Sequence, residues 1–138
     1  MAVGIAEAIA SYGTSRVTDG LGKRNAVIGG AFVLSIGLVG LAIAPDPPLA
    51  LGLGLLVLAF LGFEFAIVSS IPMVSELDPS ARSHVVGRSV GLATITRASV
   101  SLISPGLYES LGFRSTMIAG TIAAFASIVT MVTLVKEP

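Results

Sequence analysis

Glu64 and Arg97 are the residues of this 138-residue chain best placed to do chemistry in apolar surroundings. Each lies near the middle of a long apolar run, Glu64 in residues 49–73 and Arg97 in residues 85–108. A charge at the centre of a bilayer costs roughly 2.5–3.5 kcal/mol on insertion scales, so two such groups are expected to face protein or water. By helical rise from the polar segment joining the two runs, Glu64 lies about 14 Å below Met73 and Arg97 about 18 Å below Val85. A long arginine side chain bridges that mismatch. The spacing therefore predicts a Glu64–Arg97 ion pair, either a substrate, proton or gating site or a structural clamp between two helices. Thr94, Ser101 and Ser104 follow Arg97's face at spacings of three and four residues. Such a stripe lines a water-filled cavity, or it bonds to neighbouring helices and to its own backbone. Glu7, in the first apolar run, is a further candidate for the path or for the outer interface.

Other chemistries lack their residues. The chain has no cysteine, hence no disulfide, thiolate metal site or cysteine nucleophile. Its one histidine, His84, cannot build a histidine metal cluster and is expected to be a solvated loop residue. Gly20-Leu21-Gly22-Lys23 lacks the spacing and the Ser or Thr of a phosphate-binding loop, and no Gly-x-Ser-x-Gly elbow occurs. The expectation is a non-enzyme without metal or cofactor. Lys+Arg and Asp+Glu number 8 each, which leaves no basic excess for nucleic acid.

The elements that must carry these residues follow from composition. Hydrophobic residues make up 54% of the chain and charged residues 12%. A soluble domain carries roughly 25% charged residues, and the shortfall is what a lipid-facing surface requires. Five apolar runs, 2–15, 26–44, 49–73, 85–108 and 113–135, predict an all-α transmembrane bundle forming a single domain over residues 1–138. Helices are expected because lipid leaves each segment to satisfy its own backbone hydrogen bonds. The first run covers only about 20 Å of a roughly 30 Å hydrocarbon core. No basic residue precedes Arg16, so the start lacks the charged region of a secretory signal.

The breaks carry turn chemistry. Ala44-Pro45-Asp46-Pro47-Pro48 cannot continue a helix. Residues 75–83 are polar, with Asp78-Pro79 as the expected helix start. Pro105-Gly106 and Gly112 are expected to bracket the last connection. Gly87 with Gly91, Gly40 with Ala44, and Gly120 with Ala124 offer small residues at four-residue spacing, where helices can approach closely.

The segment Ser15-Arg16-Val17-Thr18-Asp19-Gly20-Leu21-Gly22-Lys23-Arg24 resembles the cytoplasmic loop signature of the major facilitator superfamily. Asp19, Gly22, Lys23 and Arg24 match the pattern. Ser15 stands where the pattern has a Gly, and Gly20 stands where it has a basic residue. The stretch from Phe63-Glu64-Phe65 through Pro72 to Ser75-Glu76-Leu77-Asp78-Pro79-Ser80-Ala81-Arg82 resembles the family's tenth helix and the loop after it. Gly106-Leu107-Tyr108 through Gly112-Phe113-Arg114 resembles the outer loop before its twelfth helix. The resemblance implies the eighth to twelfth helices, part of the C-terminal half and about a third of a family member. It implies secondary active transport of a small solute by alternating access. Asp19, Lys23 and Arg24 are expected to serve topology and loop–helix latching rather than substrate binding. Five helices do not form a path between two six-helix repeats. The chain is therefore expected to be a fragment of a larger transporter, completed by N-terminal helices or by a partner subunit. Its expected partners are the bilayer, those helices and a small-molecule substrate. Two rival readings stand beside this one. One is a small membrane subunit or assembly partner without transport activity. The other is a self-sufficient small multidrug-type transporter that dimerises, which the short first run disfavours.

Arg16, Lys23, Arg24, Arg82, Arg88 and Lys136 cluster in the first loop, the third loop and the tail, while residues 44–48 carry no Lys or Arg. The bias predicts a multi-pass protein of the plasma (cytoplasmic, inner) membrane, N-terminus outside and C-terminus cytoplasmic. Because the native chain has no cysteine, single cysteines at Thr18 and Asp46 report this directly. An impermeant thiol reagent on intact cells is expected to label position 46 and spare position 18. The reverse pattern inverts the orientation.

Overall fold

The computed structural model describes residues 20–44, 46–76 and 78–135. These form three helices, α1 (Lys23–Ile43), α2 (Leu49–Glu76) and α3 (Arg82–Leu134), and no strand occurs among the described residues. All three are long and apolar enough to cross a membrane. The expected run 2–15 lies outside the described residues. The expected runs 26–44 and 49–73 correspond to α1 and α2, with α2 extending through Pro72 to Glu76.

The last two expected runs share α3. At 53 residues, α3 would measure about 80 Å as a straight rod, more than twice a bilayer core. It is not straight. Gly112 has φ 77° and ψ 172°, a non-helical backbone that divides α3 into arms of residues 82–111 and 113–134. A side chain with a Cβ is strained at that φ, so the residue type sets the corner. The connection expected at Pro105-Gly106 does not form, and the helix runs through Pro105. Neighbouring groups and small local adjustments re-satisfy the carbonyl that a proline frees in a membrane helix. The glycine, which no helix tolerates at φ 77°, makes the break.

α3 also starts later than Asp78-Pro79 suggests. The Asp78 carboxylate accepts hydrogen bonds from Ser80 N (3.0 Å), Ser80 Oγ (2.6 Å) and Ala81 N (3.2 Å). It thus folds residues 78–81 into a turn, and the helix begins at Arg82. Asp side chains favour such local turns over helix interiors. These bonds, led by the one from the Ser80 hydroxyl, hold the Asp78 carboxyl below its ordinary 3.8. A depressed carboxyl contributes stability above its unfolded-state pKa and loses it as pH falls through the folded one. The carboxylate's contribution to the turn is therefore full above pH 3.8 and declines as the pH falls below it.

The helix order reads from the contacts. Along α1, Gly30 meets Gly62 and Ala66, Gly37 meets Ala59, and Gly40 meets Leu55, so α2 runs antiparallel to α1. Arg24 meets Met131 and Val132, and Leu38 meets Gly120, so the second arm of α3 also runs antiparallel to α1. Helix α1 is the hub. Its contact with α2 is the most extensive, that with α3 comes next, and α2 and α3 touch least. One pole gathers the start of α1, the end of α2 and both ends of α3. The other holds the end of α1, the start of α2 and the Gly112 corner.

The core is made of small residues. Ala26, Gly30, Ala31, Ser35 and Gly37 are buried on α1, and Ala59, Gly62 and Ser69 on α2. Large apolar side chains point outward instead, Phe32 at 53% exposure and Leu102 at 84%. That arrangement inverts a soluble core and suits a lipid solvent, where helices associate by close packing. At the tightest point, a Cβ on Gly30 would lie 2.7 Å from the Gly62 carbonyl oxygen, and one on Gly62 would meet Leu34 N and the Gly30 carbonyl oxygen. The obstructing atoms are backbone and cannot swing aside. By contrast, Gly87 and Gly91 face open space. The four-residue spacing there is not used for packing among the described residues. Gly62→Ala is expected to cost about 1–3 kcal/mol through overpacking. Gly91→Ala is expected to leave stability unchanged or to raise it slightly. Thermal unfolding in detergent distinguishes the two.

Candidate functional site

Two polar regions emerge. The first is a latch at the pole where α1 begins. Gly22 there has φ 81°, a conformation that favours glycine, and it turns the chain into α1. Lys23, next in sequence, pairs with Glu76 at the end of α2. The side chain of Arg24 donates from Nε to the Met131 carbonyl (3.1 Å) and from Nη2 to the Val132 carbonyl (2.8 Å). The last carbonyls of a helix lack intrahelical donors and carry the negative end of its dipole, so a guanidinium is a fitting cap. Two adjacent basic residues thus tie α1 to α2 and to the second arm of α3. Lys23 and Arg24 lie in the first turn of α1 rather than in a loop, so these are contacts between helices. Ser15, Asp19 and Glu7 lie outside the described residues.

The second region surrounds Arg97. Its guanidinium carbon lies 5.1 Å from the centroid of the Phe63 ring. The ion pair expected between Glu64 and Arg97 does not form, and the described ion pair is Lys23–Glu76. Depth alone suggested Glu64, but azimuth decides. Successive residues are about 100° apart around a helix, so Phe63 and Glu64 cannot both face the same neighbour. Phe63 faces the first arm of α3. The signal for it was present in the sequence: an aromatic residue beside the acid, able to hold a cation over its face.

The polar stripe stays on one face of the arm. Thr94, Arg97 and Ser101 are exposed, and Ser104 is half-buried. Thr94 Oγ1 donates to the Val90 carbonyl of its own helix (2.8 Å). Thr96 and Ser99, outside the stripe, do the same to Leu92 and Ile95 at 2.9 Å each. The Thr94 hydroxyl is therefore satisfied locally, while Arg97 alone brings a net charge to the face. No group of His, Asp and Glu suited to a metal ion occurs among the described residues.

An apolar groove of about 270 Å³ opens beside this region, between α1, α2 and the second arm of α3. Leu34, Leu38, Leu56, Phe60, Phe63 and Met117 are among its lining residues. Phe63 belongs both to the groove wall and to the contact with Arg97. At the corner beyond, Tyr108 and Phe113 pack edge to face across Gly112, with ring centroids 6.5 Å apart.

No protein-family model, curated protein or solved structure matches this chain.

A double-mutant cycle tests the Arg97 contact. Phe63→Leu and Arg97→Met are expected to couple by about 0.5–1 kcal/mol in detergent unfolding. Glu64→Gln and Arg97→Met are expected to add. Coupling in the second cycle and none in the first overturns the placement of Arg97 on Phe63.

Proposed function

We propose that this chain forms part of a secondary transporter of the major facilitator type, which moves a small solute across a membrane by alternating access. The observation that supports it is the exposed Arg97, halfway along an arm, residues 82–111, that is long enough to span a bilayer. A guanidinium at that depth is costly against lipid, and intramembrane charges mark solute and ion paths. Thr94 and Ser101 extend the polar face along the arm and are exposed, while Arg97 touches α2 through Phe63. The path-lining surface is then this stripe, opposed by helices from the rest of the polypeptide or from a partner subunit. The latch built on Lys23 and Arg24 fits a bundle that moves as one body, since it fastens three helices at one pole. The order of elements around the residues matching the loop signature supports the family assignment.

The same polar face also supports a second reading, a membrane subunit whose arm packs dry against another protein. Water access separates the two. Single cysteines at Thr94, Ser101 and Leu102 are treated with a small hydrophilic thiol reagent in native membranes, with all partners in place. On the transport reading, positions 94 and 101 react and position 102, facing lipid, does not. Protection of both stripe positions rejects a water-filled path and favours the packing subunit. Reaction of position 102 with the same rate as the others rejects the lipid-facing assignment as well.

A further inference from the structure

The groove between α1, α2 and the second arm of α3 has no role in the reading above, which concerns the outer face of the first arm. Its volume, about 270 Å³, falls at the lower limit of ligand pockets, which begin near roughly 300 Å³. That is room for one apolar chain and too little for a two-chain lipid. Its wall contributes essentially no polar surface, so nothing in it would hold the polar part of a ligand. One charged group touches a residue of the wall without itself lining the groove. Arg97 rests over Phe63, a residue of the wall, and forms no ion pair among the described residues. Glu64 follows Phe63 in sequence but points elsewhere on the helix and does not line the groove.

From this juxtaposition we infer that the groove binds a single-chain amphipathic carboxylate, its tail among Leu38, Leu56, Phe60 and Met117 and its headgroup on Arg97. The guanidinium fork matches a carboxylate in a planar, two-bond geometry. Depth selects the headgroup. Arg97 lies fifteen residues from the start of α3 at Arg82, about 22 Å along the helix. A phospholipid phosphate stays at the interface, well short of that depth. A carboxylate is small enough to follow its own chain inward. The inference stands apart from the transport reading, because a membrane subunit with the same groove and the same arginine would bind the same ligand.

The chain has no tryptophan, so Phe60→Trp places a sole indole reporter in the groove wall. The protein is studied in neutral phosphatidylcholine vesicles. The quenchers are a terminally brominated undecanoate and the brominated alcohol of the same chain length. Saturable quenching by the carboxylate is expected, with only linear, partition-limited quenching by the alcohol. Adding Arg97→Gln is expected to weaken carboxylate binding at least about tenfold, the loss of a charge-assisted hydrogen bond. Arg97→Lys is expected to retain saturation at lower affinity, because the charge remains and the fork does not. The comparison of carboxylate with alcohol uses native Arg97 and does not depend on how the arginine variants fold. Equal saturation by the alcohol, no saturation by the carboxylate, or an affinity unchanged in Arg97→Gln overturns the inference. Saturable quenching by a brominated phosphatidylglycerol that undecanoate cannot displace also overturns it, and assigns the groove to an anionic phospholipid.

Discussion

The approach of α1 to α2 through Gly30 and Gly62 is the contact on which the remaining arrangement rests. Lipid tails are as apolar as leucine, so burying a large apolar side chain between two helices brings no hydrophobic gain in a bilayer. What remains is dispersion between surfaces that fit, and dispersion falls off within a fraction of an ångström of gap. Backbones that meet across two glycines maximise such contact. A Cβ at either position would meet main-chain atoms that have no rotamer to change. The seam continues through Gly37 with Ala59, so the two helices are held along much of their length rather than at one point.

Packing without direction does not fix which ends lie together, and the charged residues of one pole add that direction. Lys23 with Glu76, and Arg24 with the carbonyls of Met131 and Val132, sit where water or headgroups can solvate what the contacts leave over. Exposed ion pairs contribute little, about 0–1 kcal/mol. The capping of a helix end is a stronger constraint, because those carbonyls have no other donor in the helix. The seam therefore supplies most of the cohesion and the pole supplies register. The first arm of α3 lies outside both devices, which is why it is the most exposed part of the described chain.

Much of this architecture is legible in the sequence, for a physical reason. Spanning helices must be apolar and long, so runs 26–44, 49–73, 85–108 and 113–135 coincide with α1, α2 and the two arms of α3 to within a few residues. Lys23 and Arg24 stand out in the sequence as a basic pair, but their partners on α2 and α3 are visible only in the fold. Azimuth is harder to read. Helices that are apolar all round give no amphipathic stripe to show which side faces inward. Hence Gly87 and Gly91 resemble a packing motif and face open space, while Gly30 and Gly62 make the seam. The same ambiguity makes Glu64 the apparent partner of Arg97, when the residue turned toward it is Phe63. Proline and glycine at the last connection compete in the sequence as breakers, and only the backbone at Gly112 shows which one acts.

The corner at Gly112 has a consequence for what the protein presents outside the bilayer. One residue turns the chain there, and α1 ends at Ile43 a short step before α2 begins at Leu49. Between them these corners offer almost no polypeptide for a protease, a glycan or an antibody to grip. Within the described residues, the other pole carries the Lys23–Glu76 pair, the Arg24 cap and the Asp78–Ala81 turn, whereas the corners carry the exposed charges of Asp46, Glu109 and Arg114. A soluble protein approaching these helices would meet charges tied into the fold at one pole and single exposed charges beside the short corners at the other.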